Sequence, residues 1–565
     1  MKPRLQLIII LTTALFLRIF WLNIIPAGIT NDELHFVLNA KSVFLNFSNL
    51  ANNWNPLSLK TIPHESSSEL SFLLLSPLIG PLPLNLFTSR LTGAILGTLT
   101  VFILYLLAKH LFGAKIAIFV SVLAAINPWF IYFSRTAFDA PLAVFFILLS
   151  IYLLLSNKNI FFIILSILFS FYTYIGTKIL VFPFMFITSY FVYITNKRQS
   201  IKKLLLVNIF TLALSLNYGL NLYKSDLGNR IGELISFSDP KISLEVNQNR
   251  QYSQTPGIFK TVFNNKLLST VKFSFGKFLN SFSPNLLFLK GDETFTGSLW
   301  KHGYFYPIEI FTIIFGFLYL FSKYRPAFWL LAYFLLLSPL PEAIRKDSIP
   351  AYALHSAFQY PFFVFLSGIG LYYLFSLKNK LLNIFLTLSF TTGLLIFINL
   401  YFFEYPYYAA DSFSLKNRII SYYLQNETPN HPVLVLCKEP DALFKNYIFF
   451  SNGLNRKSFK DISISYSNRL ANRYILGNLT FTSNQNDLEG ISSDSTVIIE
   501  EGINSGFDST SKQLMLNIDH SQTLFSIYNG KTCLHTATST KIISLNKLTS
   551  SPDNFCPLFF SSVSL

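Results

Sequence analysis

From residue 5 to residue 403 the chain alternates between apolar stretches and short polar breaks. The apolar windows fall at 5–25, 86–108, 115–133, 138–156, 159–176, 178–195, 202–222, 305–322, 326–341, 356–376 and 381–403. A bilayer's hydrocarbon core takes about 20 residues of helix, so this pattern predicts about eleven transmembrane helices. Two breaks are long, 26–85 and 223–304. Loops of such length in a compact protein are functional or disordered. The first contains the apolar piece Leu70–Pro83, interrupted by Pro77, Pro81 and Pro83, which predicts interfacial or re-entrant helices. The second begins with the polar KSDLGNRIGEL, and its aromatic later part, SFSPNLLFLKGDETFTGSLWKHGYFYP, predicts an ordered lid.

From about residue 404 the chain turns to Asn, Ser and Lys with short apolar runs. HPVLVLC (431–437) and STVIIEE (495–501) read as buried strands, and Pro440–Phe450 reads as a helix between them. Asn529-Gly530, between LFSIY and KTCLHTA, is a two-residue hairpin signal. The tail therefore predicts a small α/β domain. It holds no metal-ligand spacing, phosphate loop or nucleophile elbow.

Composition agrees with a membrane protein. Only 13% of the 565 residues are charged and 52% are hydrophobic, with mean hydropathy +0.45; soluble domains carry about a quarter charged residues. A net charge of +16 would suggest nucleic acid in a soluble protein, but here the cations sit in the short gaps between apolar runs. They read as topology signals. With Lys2 and Arg4 inside, alternate gaps hold Lys109 and Lys115, Lys158, Lys197 to Lys203, Lys323 and Arg325, then Lys378 and Lys380, without an acid among them. The opposite gaps hold Asp32, Glu33, Glu65, Glu69, Asp139, Asp292, Glu293, Glu342 and Asp347. This places the N-terminus in the cytoplasm and residues 404–565 outside with the acids. The N-terminal apolar stretch lacks a small-residue cleavage site and reads as an uncleaved first span. The 3 cysteines allow at most one disulfide, for which Cys533 and Cys556 are the candidates.

The candidate chemistry lies on the external side. Asp32 and Glu33 follow the first apolar run directly, where ionised groups are expensive without work or partners. A partly desolvated carboxylate there can act as general base toward a hydroxyl. The competing reading is a cap on the helix that follows. Arg135 and Asp139 share one external break, as a phosphate-binding arginine with an acid or as an i, i+4 helix pair. Arg90 opens the second span, either snorkelling to the interface or holding an anionic head group. Lys178 lies at the external end of the sixth window, and the lone His35, His302 and His355 suit hydrogen bonding better than metal ligation. Carboxylates, spaced cations and aromatics together suit a lipid-linked anionic donor with an acid to activate an acceptor. Transporters place ionisable residues at the midplane, and these spans contain almost none.

The motif Pro26-x-Gly28-x-x-x-Asp32-Glu33 after one span resembles the GT-C membrane glycosyltransferases. It is similar in particular to bacterial relatives of dolichyl-phosphate-mannose protein mannosyltransferases and of the lipid A aminoarabinose transferase. Further matches follow in order: residues 89–113, NPWFIYFSRTAFDAP (127–141), YTYIGTKILVFP (172–183), SPNLLFLKGDETF (283–295) and YFFEYPYYAADSF (401–413). The resemblance implies an inverting transferase using a polyprenyl-phosphate sugar on the outer face of the membrane. Asp32 would be the catalytic base with Glu33 beside it, and Arg90, Arg135, Asp139 and Lys178 would bind substrate, with His302 and His355 as further candidate substrate-binding residues. His355 stands where the family has an arginine, and Asp139 where glutamate is commoner. The expected partners are the lipid-linked donor, a protein, lipid or glycan acceptor and membrane lipids, with no nucleic acid. No cofactor is indicated, and a divalent metal stays open. The chain reads as a catalytic membrane domain over 1–403 and an extracytoplasmic domain over 404–565. A lipid-linked oligosaccharide flippase or ligase, and a non-catalytic envelope glycan-binding protein, stay open as alternatives.

Overall fold

The computed structural model describes residues 3–563 apart from 57–69, 196–199, 225–239, 295, 347–351, 428–430, 468–471, 490, 493, 505–506, 508–510, 534–544 and 546–547. Glu65, Glu69, Lys197, Arg198, Asp347 and most of KSDLGNRIGEL thus lie outside the described residues. The chain forms two compact units, one of residues 1–20 and 93–400, the other of 21–92 and 401–565.

The first unit is helical. Each apolar window assigned to it holds a helix, from Pro3–Ile19 to Lys380–Asn399. Among the described residues six helices are long and apolar enough to cross a membrane: Leu86–Phe112, Thr177–Thr195, Ile201–Asn221, Arg325–Ala343, Ala357–Ser376 and Lys380–Tyr408. Ala114–Ile126, Asp139–Leu155 and Ile160–Thr173 are apolar but shorter. The tightest packing joins Glu309–Lys323 to Tyr360–Ser376. A Cβ on Gly316 would stand 2.0 Å from the Leu366 carbonyl oxygen, and one on Gly370 would stand 1.8 Å from that of Thr312. Small residues let membrane helices approach this closely, and a polar contact between Thr312 and Ser367 (2.7 Å) closes the same interface.

The described part of the long break at 223–304 is largely helical. It holds helices Pro240–Tyr252, Gly257–Phe263 and Lys266–Asn280 and a π turn at Asn285–Leu289. Its last part is knotted around the buried Asp292. That carboxylate accepts bonds from the Thr294 amide (2.9 Å), the Tyr304 hydroxyl (3.0 Å) and the Ala353 amide (3.2 Å). Burial pushes its pKa up, and these hydrogen bonds oppose the shift.

The second unit pairs the first long break with the tail. Its N-terminal part holds the helices Asn31–Asn46 and Ser71–Ile79. Its tail carries a mixed seven-stranded sheet: β1 (Val433–Leu436), β2 (Arg473–Leu476), β3 (Leu479–Thr482), β4 (Thr496–Glu500), β5 (Lys512–Leu516), β6 (Thr523–Tyr528) and β7 (Phe560–Val563), in the order β2-β3-β1-β4-β6-β5-β7. β1 runs parallel to both β3 and β4, and the other pairs are antiparallel. Every residue of β1 and β4 is buried, as expected for central strands covered on both faces. Both predicted strands and the helix Pro440–Phe450 are present. The hairpin at Asn529-Gly530 is not. Asn529 has φ +56°, but Lys531–Cys533 form no strand, and the rest of KTCLHTA lies outside the described residues. The buried Glu427 accepts bonds from the Lys531 and Thr532 amides (2.8 Å each), which holds this segment away from strand pairing. Cys533 and Cys556 form a disulfide, and Cys437 is a buried free thiol.

Candidate functional site

The turn Pro26–Glu33 belongs to the second unit and is built inward from the backbone. Thr30 caps the helix Asn31–Asn46: its hydroxyl accepts from the Glu33 amide (3.1 Å), while the Glu33 carboxylate accepts from the Thr30 amide (3.2 Å). This reciprocal capping box satisfies two donors that a helix start otherwise leaves open. The capping reading therefore holds for Glu33, with Thr30 rather than an Asn or Asp as the cap. Glu33 has a second partner. Arg90 Nε lies 3.1 Å from its Oε1, and both side chains are fully buried. The same guanidinium donates to the carbonyls of Pro26 (3.0 Å) and Gly28 (2.6 Å). Arg90 thus does not snorkel; it ties the turn to the start of Leu86–Phe112. Gly28 is needed where it stands, because a Cβ there would meet the Phe413 carbonyl oxygen at 2.0 Å.

Asp32 differs from its neighbour in that its side chain is exposed, at the second position of the helix. His35, one turn on, is half-buried against Phe72 and bonds Asn39.

The remaining sequence-predicted residues lie in the first unit. Arg135 is fully buried, and its guanidinium donates to the carbonyls of Leu17 (3.1 Å) and Phe20 (2.7 Å). The helix Pro128–Phe133 ends before it and Asp139 begins the next, so the two residues do not share one helix. Lys178 is buried, with Nζ 4.3 Å from the centroid of the Tyr218 ring. His302 is buried; its Nδ1 bonds the Gly303 carbonyl (2.6 Å), and burial lowers its pKa. His355 is more open, with Nδ1 3.3 Å from the Glu342 carboxylate.

That contact belongs to a cluster that sequence reasoning only partly found. Glu342, fully buried, also lies 3.5 Å from Arg345 Nε. Arg345 stands 5.3 Å from the centroid of the Tyr352 ring, and the Tyr174 ring lies 6.4 Å from that of His355. One carboxylate thus holds an arginine and a histidine at the end of an apolar helix, with aromatic rings around them. Arg345 has a faint sequence signal, an arginine three residues after a glutamate in a short break between apolar windows. Tyr174 has none. Among the described residues, no group of three or more His, Cys, Asp or Glu side chains is placed to hold a metal ion.

Comparison with solved structures places this architecture. ArnT from Cupriavidus metallidurans bound to undecaprenyl phosphate superposes with a TM-score of 0.50 at 8% identity, covering 92% of this chain and 97% of that one. The fold resembles that of the GT-C glycosyltransferases. The apo oligosaccharyltransferase of Archaeoglobus fulgidus matches at TM-score 0.42 and 12% identity over 80% of this chain, which spans 64% of the archaeal chain's length. The S. cerevisiae Pmt1-Pmt2 complex bound to its sugar donor matches at TM-score 0.28 and 14% identity over 46% of this chain and 37% of that one. No family model and no curated protein sequence matches the chain.

Proposed function

We propose that this chain is a membrane glycosyltransferase that moves a sugar from a polyprenyl-phosphate carrier to a protein, lipid or glycan acceptor, with inversion at the anomeric carbon. The observation that carries the reading is the division of labour at Asp32 and Glu33. Glu33 is buried against Arg90 and in the cap, and Asp32 stands next to it as an exposed residue of the same turn. An exposed acid beside a buried one suits a general base. The GT-C-like fold supports the class of reaction, and ArnT, with the same fold, is solved with undecaprenyl phosphate bound.

In the proposed mechanism Asp32 takes the proton from the acceptor hydroxyl as its oxygen attacks the anomeric carbon. The bond to the phosphate oxygen breaks, and the polyprenyl phosphate leaves with that electron pair. Cations stabilise the departing phosphate, a role we propose for Lys178 and Arg345, with His355 and Asp139 as candidate substrate-binding residues. Arg345 lies beside the same Glu342 carboxylate as His355, the position at which the family pattern has an arginine. Glu33 and Arg90 position the base, and Arg135 and His302 serve as anchors through their bonds to backbone carbonyls. No step is assigned to a metal. We place the N-terminus in the cytoplasm, residues 1–403 as the catalytic membrane domain and residues 404–565 outside.

The test is transfer of radiolabelled hexose from polyprenyl-phosphate donors, wild type beside Asp32→Asn, with thermal unfolding as the control for folding. The variant is expected to lose about 10²- to 10⁴-fold in rate, the contribution of a general base, at an unchanged unfolding midpoint. Full transfer by the folded variant removes Asp32 from the role. Movement of the lipid-linked sugar by the wild type without transfer replaces the enzyme with a flippase.

A further inference from the structure

Two helices in the first unit have their faces turned the wrong way for water. Gly257–Phe263 buries none of its residues and leaves Ile258 80%, Phe259 60% and Phe263 64% exposed. Lys266–Asn280 buries Ser269 and Lys277 while Leu268, Val271, Phe275 and Leu279 stand exposed. These four apolar positions fall at i, i+3, i+7 and i+11, a single stripe along one side. The buried lysine is held on the opposite side, its Nζ donating to the Arg345 carbonyl (3.0 Å) and lying 5.1 Å from the centroid of the Phe273 ring. A helix in water does the reverse, polar side out.

Neither helix can answer this by crossing a bilayer. The longer has 15 residues, about 22 Å of helix against a hydrocarbon core of about 30 Å. The charge pattern gives a second, independent pointer. From Val246 to Gly291 the chain contains no Asp or Glu but six basic residues, Arg250, Lys260, Lys266, Lys272, Lys277 and Lys290. Asn265 caps the longer helix through the Leu268 amide (2.9 Å), so the two helices turn on a two-residue link, Asn264-Asn265, with Lys266 at the corner. Apolar stripes too short to span, set among lysines and no acids, match the boundary between lipid tails and anionic head groups.

We propose that residues 257–280 form a monotopic membrane-surface hairpin, lying in the plane of one leaflet, with Ile258, Phe259, Leu268, Val271, Phe275 and Leu279 among the acyl chains and Lys266 and Lys272 at the lipid phosphates. The occupant of this face is the anionic lipid surface. The inference is independent of the transfer reaction.

The experiment uses the full chain in lipid nanodiscs with an environment-sensitive fluorophore on Phe259→Cys or Phe275→Cys. The native cysteines are a buried thiol and a disulfide, so the introduced thiol takes the label. Leu388→Cys, an exposed apolar position on the apolar helix Lys380–Asn399, is the lipid control, and Asn486→Cys, exposed beside the sheet, is the aqueous control. The expected result is a blue-shifted label at both hairpin positions, quenched by lipids brominated near the head group and protected from aqueous iodide. Iodide quenching equal to that at Asn486 overturns the proposal. Protection from both quenchers also overturns it, in favour of a protein occupant such as a second copy of the chain. Lipid quenching should be deeper in phosphatidylglycerol discs than in phosphatidylcholine discs, and the difference should vanish in Lys266→Gln/Lys272→Gln. Equal quenching in the two lipids overturns the anionic assignment.

Discussion

At residues 26–33 the chain takes charge inside, and at residues 257–280 it leaves apolar surface outside. In the first region Glu33 and Arg90 are fully buried, and their desolvation is offset by each other, by the cap at Thr30 and by the Pro26 and Gly28 carbonyls. In the second, Phe259 and Phe275 stand open, 60% and 57% exposed. A buried ion pair depends on its immediate geometry and little on the medium, because water is already excluded. An exposed apolar stripe takes its free energy from whatever solvent surrounds it. Damage to the first region should therefore appear in any detergent or lipid, and damage to the second only where a lipid surface is present.

The largest structural effect is expected at the pair itself. Arg90→Ala leaves the Glu33 carboxylate buried without its counter-charge and should destabilise the fold by about 3–5 kcal/mol, read as a lowered unfolding midpoint in detergent. If the midpoint holds, the pair is not what orders the turn. Next comes Gly28→Ala, whose Cβ would lie 2.0 Å from the Phe413 carbonyl oxygen, backbone that cannot swing aside. Overpacking of this kind costs about 1–3 kcal/mol, and transfer activity should fall with it, because the turn carries Asp32.

His302 extends the comparison to a buried group without a counter-charge. Burial lowers its pKa from the ordinary 6.5, so below that pH the unfolded chain binds a proton that the folded chain refuses. Stability should be full above pH 6.5 and fall as the pH drops from there toward the folded value. His302→Gln should flatten that decline in a pH series of thermal scans. The smallest effect belongs to the second region. Phe275→Ser should move the midpoint in detergent by no more than about 0.5 kcal/mol, as surface changes do, while weakening lipid quenching of a label at Phe259→Cys. A large loss in detergent would mean that Phe275 packs within the protein.

Much of the fold is legible because a bilayer makes composition and periodicity speak together. Each apolar window holds a helix, and Leu70–Pro83, broken by prolines, holds only the short Ser71–Ile79. The tail is legible at β1, β4 and Pro440–Phe450, where runs of Val, Leu and Ile or a first-turn proline act locally. It fails at Asn529-Gly530, where Glu427, about a hundred residues earlier in the chain, captures the segment instead. The candidate site divides in the same way. Thr30-x-x-Glu33 is a local capping signature, but the partner of Glu33 lies 57 positions away, and nothing local to Arg90 distinguishes an interfacial arginine from a buried one. Arg345 and Tyr174 acquire their meaning only from Glu342 and His355, which packing, not spacing, brings to them.

The Glu33–Arg90 contact also has a direction. Its attraction alone would survive exchange of the two residues, since opposite signs attract whichever way they are placed. The backbone around it does not permit the exchange: the Thr30 amide offers only a donor to the residue at 33, and the Pro26 and Gly28 carbonyls offer only acceptors to the residue at 90. Main-chain polarity thus writes the sign of each charge into its position. The two side chains form a lock whose halves are not interchangeable.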